Sequence, residues 1–158
     1  MCRTVSIAEE ADVETLSFGP LENSVGFLLR IAQLTVYERT FAELDRRDVP
    51  IGEYTILLAI GLNPGVRQGV LADRLRIKWS NMTKLIRSLE GRGLIERLVS
   101  PRDRRAISLR LTAAGETWVE EHKALVLRAV ERSVASLDED EQKTLQSLLR
   151  KVAGWPQL

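Results

Sequence analysis

The 158-residue sequence predicts a mainly α-helical protein that carries one small β-hairpin. Three observations point there. Apolar residues recur at the 3.6-residue helical period through most of the chain. Two short runs, "LIERLV" (94–99) and "AISLRL" (106–111), read instead as strands. The link between them, "SPRDRR" (100–105), packs three arginines and an aspartate into a hairpin tip.

Taken in order, "LENSVGFLLRIAQLTVYERTFAELDRR" (21–47) places Val25, Leu28, Leu29, Ala32 and Val36 at helical spacing with no internal proline, which predicts one long helix. "DVP" at Asp48 to Pro50 ends it. "IGEYTILLAIGL" (51–62) reads as a short buried helix stopped by the turn signal "NPG" at Asn63 to Gly65. "GVLADRLRI" (69–77) is a second short helix with Val70, Leu71, Leu75 and Ile77 apolar.

"KWSNMTKLIRSLEGRG" (78–93) divides on a helical wheel. Trp79, Met82, Leu85, Ile86 and Leu89 share one side, and Ser80, Asn81, Thr83, Lys84, Arg87 and Ser88 the other. That outer face carries no acid, whereas ordinary exposed helix faces mix both signs. Gly93 supplies the stop. In the second strand Ile107, Leu109 and Leu111 alternate with Ala106, Ser108 and Arg110, the period of a half-buried antiparallel strand. Thr112 is placed to cap a long helix, "AAGETWVEEHKALVLRAVERSVASL" (113–137). Asp138 and Glu141 have capping-box spacing for a last one, "EDEQKTLQSLLRKVAG" (139–154).

The net charge of +1 conceals a segregation. Residues 1–66 carry 5 Lys/Arg against 10 Asp/Glu, residues 67–110 carry 12 against 4, and residues 111–158 carry 6 against 8. A +8 block between acidic flanks is the footprint of a polyanion-binding surface, or otherwise a solvated face. Other functions find less support. The single cysteine, Cys2, and single histidine, His122, form no metal-ligand set. Cys2 reads as a terminal residue and His122 as a solvated helix residue. No general acid/base pair, phosphate-binding glycine loop or nucleophilic triad stands out, so neither an enzyme nor a cofactor is expected. The acidic N-terminus lacks a signal-like apolar block, and the longest apolar stretches are too short for a bilayer, which predicts a cytoplasmic protein with no membrane contact.

Two short helices, a polar-faced third and a basic hairpin are the plan of a winged helix-turn-helix. Here the chain resembles the MarR family of bacterial transcription regulators, from about Leu21 to Val152. The specific part is "LADRLRIKWSNMTKLIRSLEGRGLIERLVSPRDRRAISLRLTAAG" (71–115), which looks like the family's Leu-Ala helix, recognition helix, "RGLIER" strand entry, Asp-x-Arg wing and Leu-Thr-x-x-Gly exit. The resemblance implies a winged helix-turn-helix lobe over 50–112 and a helical dimerisation region from 21–47 and 113–153, with an arm at 1–20 and a tail at 154–158. It implies a homodimer on a pseudo-palindromic duplex, with recognition helices one DNA turn, roughly 34 Å, apart.

Carried over by position, it makes Ser80, Asn81, Thr83, Lys84 and Arg87 major-groove and phosphate contacts. Arg102, Asp103, Arg104 and Arg105 become wing contacts, with Arg105 in the minor groove and Asp103 its partner. It also implies repression relieved by a small aromatic effector, for which Arg30, Tyr37 and Trp79 are candidate crevice residues. Lys78 and Trp79 stand where many members have a small polar cap and a small or turn residue. Either Ser80 caps a later helix start or Trp79 packs as a wedge. The fold alone would also allow a winged-helix module that binds protein rather than DNA.

Overall fold

The computed structural model describes residues 16–44, 49–99 and 107–156. The chain forms two units, Met1–Thr35 and Val36–Leu158. In the first, a 3-10 turn spans Gly19–Asn23, held by the Glu22 carboxylate, which accepts from the Phe18 amide at 2.6 Å and the Ser17 hydroxyl at 3.1 Å. Helical spacing predicts one helix from Leu21, but Ser24 is extended and breaks it. The Ser24 hydroxyl accepts from the Phe27 amide at 3.2 Å and so caps a new helix, α1 (Val25–Leu44). Val25, Leu28, Ile31 and Leu34 on α1 are exposed.

The second unit is built around α2 (Ile51–Leu62), α3 (Gln68–Arg74), α4 (Trp79–Gly91), α5 (Ala113–Ser133) and α6 (Glu139–Ala153). Strands β1 (Val66–Arg67), β2 (Ile95–Val99) and β3 (Ile107–Leu111) form an antiparallel sheet in the order β1-β3-β2. Residues Ile95 and Leu111 pair at the base of the hairpin, and Val99 and Ile107 at its described end. β1 was not expected, since two residues cannot show a period; Val66 and Arg67 pair with Leu109 and Ser108. The core joins Ile56, Leu57 and Ile60 of α2, Met82, Ile86 and Leu89 of α4, and Leu109 of β3, all fully buried. Val119 and Val126 of α5 close it. No helix among the described residues is long and apolar enough to cross a membrane.

Three junctions set the geometry. Between α3 and α4 the Ile77 amide donates to the Ala72 carbonyl at 2.9 Å and the Arg76 amide to Asp73 at 3.3 Å, a Schellman closure. It puts Arg76 at φ +55°, where glycine is the usual residue. After α4, Gly93 turns the chain at φ +69° into β2. At the start of α5, the Thr112 hydroxyl donates to the Gly93 carbonyl at 2.6 Å and accepts from the Gly115 amide at 3.1 Å, while the Thr112 amide donates to Leu94 at 3.1 Å. Gly115 packs so closely there that a Cβ would stand 2.0 Å from the Leu94 carbonyl oxygen.

Helix α5 stops at Ser133 rather than Leu137. The Ser133 hydroxyl donates to the Val130 carbonyl at 2.6 Å, and Arg39 of α1 donates to the Ser133 carbonyl at 3.1 Å, occupying an acceptor that another helical turn would need. On α5, Val126 is buried in the core, whereas Leu127 and Val130 are exposed. Helix α6 has its predicted capping box, with the Asp138 carboxylate accepting from Asp140 and Glu141 amides at 2.9 Å and Glu141 reaching back to the Asp138 amide at 2.9 Å. Gly154 closes its other end in the left-handed conformation. None of its residues is buried; Leu145, Leu148, Leu149 and Val152 stay exposed.

Gly115→Ala should lower the free energy of unfolding by at least about 2 kcal/mol, because the added methyl meets backbone that cannot rotate away. Urea denaturation at fixed protein concentration checks this, and wild-type stability would remove the close approach. Arg76→Gly should act in the opposite direction. It relieves a left-handed side chain, raising stability by up to about 1 kcal/mol in the same assay.

Candidate nucleic-acid interface

Helix α4 presents the surface that the sequence singles out. Met82, Ile86 and Leu89 face the core, and the 3.6-residue period carries Ser80, Asn81, Lys84, Arg87 and Ser88 to solvent. Thr83 is placed differently. Half-buried, its hydroxyl accepts from the Gln68 side-chain amide at 2.9 Å and donates to the Trp79 carbonyl at 2.9 Å. Its side chain therefore serves the α3–α4 contact. Gln68, only 9% exposed, was not anticipated as a site residue. A glutamine between two turns carries no periodic signal, and its role becomes visible only when α3 and α4 are brought together.

The start of α4 resolves the two alternatives for Lys78 and Trp79. The helix begins at Trp79, and Lys78 occupies the cap position without a side-chain hydrogen bond, so Ser80 is not the cap. Trp79 does not join the buried face, although the wheel places it there; its side chain stands at the helix end and is 61% exposed. A wheel assigns direction only where the helix has neighbours on that side. At its first turn, α4 has outrun the core.

The charges of the basic block fall into two groups. Arg92 pairs with Glu53, Arg97 with Glu90 at 2.9 Å, and Arg110 with its cross-strand neighbour Glu96 at 2.8 Å. These pairs brace α2, the end of α4 and the hairpin stem. Among the described residues Arg67, Arg76, Lys78, Lys84 and Arg87 have no carboxylate within salt-bridge distance. The unneutralised charge therefore gathers on β1, on α4 and on the turn between α3 and α4. The wing candidates Arg102, Asp103, Arg104 and Arg105 lie outside the described residues, as do Cys2 and most of the N-terminal arm.

The effector candidates are dispersed among elements. Arg30 and Tyr37 are on α1 and Trp79 on α4. Tyr37 is exposed, its ring 5.7 Å from that of Phe41. A cavity of about 490 Å³ opens elsewhere in the second unit, lined by Leu58 and Leu62 of α2, Val66 and Val70, Arg74 and Trp155. Trp155, expected in a plain tail, lies 3.8 Å beneath the Arg74 guanidinium. His122 is not simply solvated either. Its ring stacks on Trp118 at 4.3 Å, and its Nδ1 lies 2.7 Å from the Trp118 carbonyl. Trp118 packs in turn near Tyr54, whose phenol burial pushes above its ordinary value, with Lys123 opposing and Glu120 adding to the shift. Among the described residues no three His, Cys, Asp or Glu groups converge on a metal-sized site.

Comparison with known proteins agrees with this geometry. The sequence profile of the MarR family matches residues 39–106. A transcriptional regulatory protein for the hcr operon of Thauera aromatica is 33% identical over 144 residues, covering 90% of this chain and 86% of its own length. The chain belongs to the MarR family. The transcriptional repressor CouR, solved on a 23-mer DNA duplex, superposes with a TM-score of 0.79 at 33% identity, covering 87% of this chain and 98% of CouR. CouR bound to p-coumaroyl-CoA superposes with a TM-score of 0.76 at 32% identity, covering 87% and 97%. The mainly helical winged helix-turn-helix architecture is thus shared along nearly the full length of that repressor.

The internal bond between α3 and α4 is open to measurement. A double-mutant cycle on unfolding free energy with Gln68→Ala and Thr83→Val should give a coupling of about 0.5–1.5 kcal/mol, the net worth of a half-buried hydrogen bond. Strict additivity would show that the two side chains do not hold α3 against α4.

Proposed function

We propose that this MarR family protein is a homodimeric repressor that binds a pseudo-palindromic duplex through α4 and its wing and leaves it when a small molecule binds. The observation that carries the proposal is the outer surface of α4, where Ser80, Asn81, Lys84 and Arg87 are exposed without an intervening acid. A helix of that width fits the major groove, its amide, hydroxyl and guanidinium groups match base edges and phosphates, and the absence of carboxylates removes the repulsion a polyanion would meet. In this proposal Arg102 and Arg104 contact phosphates, and Arg105, directed by Asp103, enters the minor groove. Residues 21–47 and 113–153 form the dimerisation region and residues 50–112 the DNA-binding domain. Exposed apolar side chains on α1, α5 and α6 support that division.

Release by a ligand rests on CouR, which has been solved both with DNA and with p-coumaroyl-CoA. Arg30, Tyr37 and, in the ligand-bound state released from DNA, Trp79 remain proposed ligand contacts. The apolar cavity walled by Trp155 and edged by Arg74 is of ligand size as well. The protein so described is a cytoplasmic binding protein with no catalytic step of its own.

The test begins with genomic fragments retained by the purified protein, which supply the cognate site. Affinity for that site should fall log-linearly with salt, by about 0.9 log units per log unit for each phosphate neutralised. Arg87→Ala should cost about 1–3 kcal/mol on the cognate site and far less on random duplex, if the guanidinium is bidentate to a base. A flat salt response, or no retained fragments, would favour the protein-binding alternative.

A further inference from the structure

We infer that Trp79 is a base-reading residue whose indole covers a thymine methyl group in the major groove of each half-site. The inference rests on the proposal that α4 enters DNA, and it assigns to that surface a specificity that its polar side chains do not supply.

The placement of the side chain carries the inference. Trp79 is the first residue of α4, the end of a recognition helix that approaches base edges most closely. Its Cζ3 atom lies 3.6 Å from where a Cβ would stand at Gly69, ordinary van der Waals contact, so one ring edge rests over the start of α3. The backbone beneath is fixed by the Thr83 hydroxyl, which donates to the Trp79 carbonyl while accepting from Gln68. The remaining 61% of the residue meets solvent, between exposed Lys78 and Ser80. A large aromatic surface, immobilised at its base and flanked by a cation and a hydroxyl with no acid on the helix face, is complementary to the apolar element of a polyanion. In the major groove that element is the thymine C5-methyl, which side chains recognise by apolar contact.

Covering by a second copy of the chain would require this same end of α4 to belong to a protein interface. The other exposed apolar residues of the chain favour DNA as the occupant, because they are concentrated on α1, α5 and α6 rather than on α4.

The experiment replaces thymine by deoxyuridine, one position at a time, in the cognate duplex identified by fragment retention. This removes only the methyl and leaves the protein intact. Wild-type protein should lose about four-fold in affinity at one position per half-site, the equivalent of one buried methyl-sized group. Trp79→Ala should bind the thymine duplex more weakly, be indifferent to deoxyuridine at that position, and sediment as the same oligomer as wild type. Trp79→Phe should keep part of the methyl dependence.

Uniform tolerance of deoxyuridine by wild type, equal losses in wild type and Trp79→Ala, or dissociation of the Trp79→Ala oligomer would each overturn the inference while leaving DNA binding intact. If wild type retains no fragment at all, the inference falls with the proposed function.

Discussion

The close approach of Gly115 to the Leu94 carbonyl is the constraint on which the geometry of the winged helix-turn-helix turns. Backbone meets backbone there, with no flexible side chain between them to absorb a change. Because Leu94 is the residue at which α4 hands over to β2, the contact locks the first turn of α5 to the end of α4 and the base of the hairpin together. Thr112 doubles the lock with one hydroxyl, which donates towards Gly93 and accepts from Gly115. The direction of the described hairpin stem relative to α4 is therefore set at its base.

A second lock works from the other side of α4. Gln68 and Thr83 tie it to the start of α3, and the Schellman closure at Arg76 fixes the turn between the two helices. A left-handed arginine is a costlier choice than glycine at such a turn. It keeps a cation beside Lys78 in the part of the chain where charges lack carboxylate partners. The paired arginines, Arg92, Arg97 and Arg110, do something else. Each has its acid on a neighbouring element, or a neighbouring strand, and braces the scaffold. Exposed pairs of this kind add little stability, so in the proposed function their main effect is to restrict which cations are left to face a polyanion.

Much of this was legible in the sequence, and the failures share a cause. The helical period located α2 to α6, and the two-residue period located the hairpin, because a buried face imposes its repeat wherever an element is long enough. Thr112, Asp138 with Glu141, and Gly93 were legible for a different reason, since caps act within a few residues. What failed depended on contacts between distant segments. The end of α5 depends on Arg39 reaching Ser133, the orientation of Thr83 on Gln68, and β1 on its pairing with β3. Trp79 failed because a wheel has no knowledge of where the core ends. Trp155 gave no signal until its ring was found beneath Arg74. The split of the first helix was in principle readable at Ser24, a cap residue hidden within an otherwise continuous apolar repeat.

Helix α6 is finished by its own residues. Its capping box, three acids in its first turn, two bases in its last and the left-handed Gly154 satisfy both ends and align charge with the helix dipole, while none of its residues is buried. Its conformation is thus specified locally and does not wait for a tertiary surface to impose it. When such a helix meets a partner, much of the loss of chain freedom has already occurred, and the apolar contact formed at that moment is opposed by less ordering. For the proposed dimerisation region the consequence is kinetic: assembly through α6 would resemble the docking of preformed rods, with a rate set by concentration and orientation rather than by coupled folding.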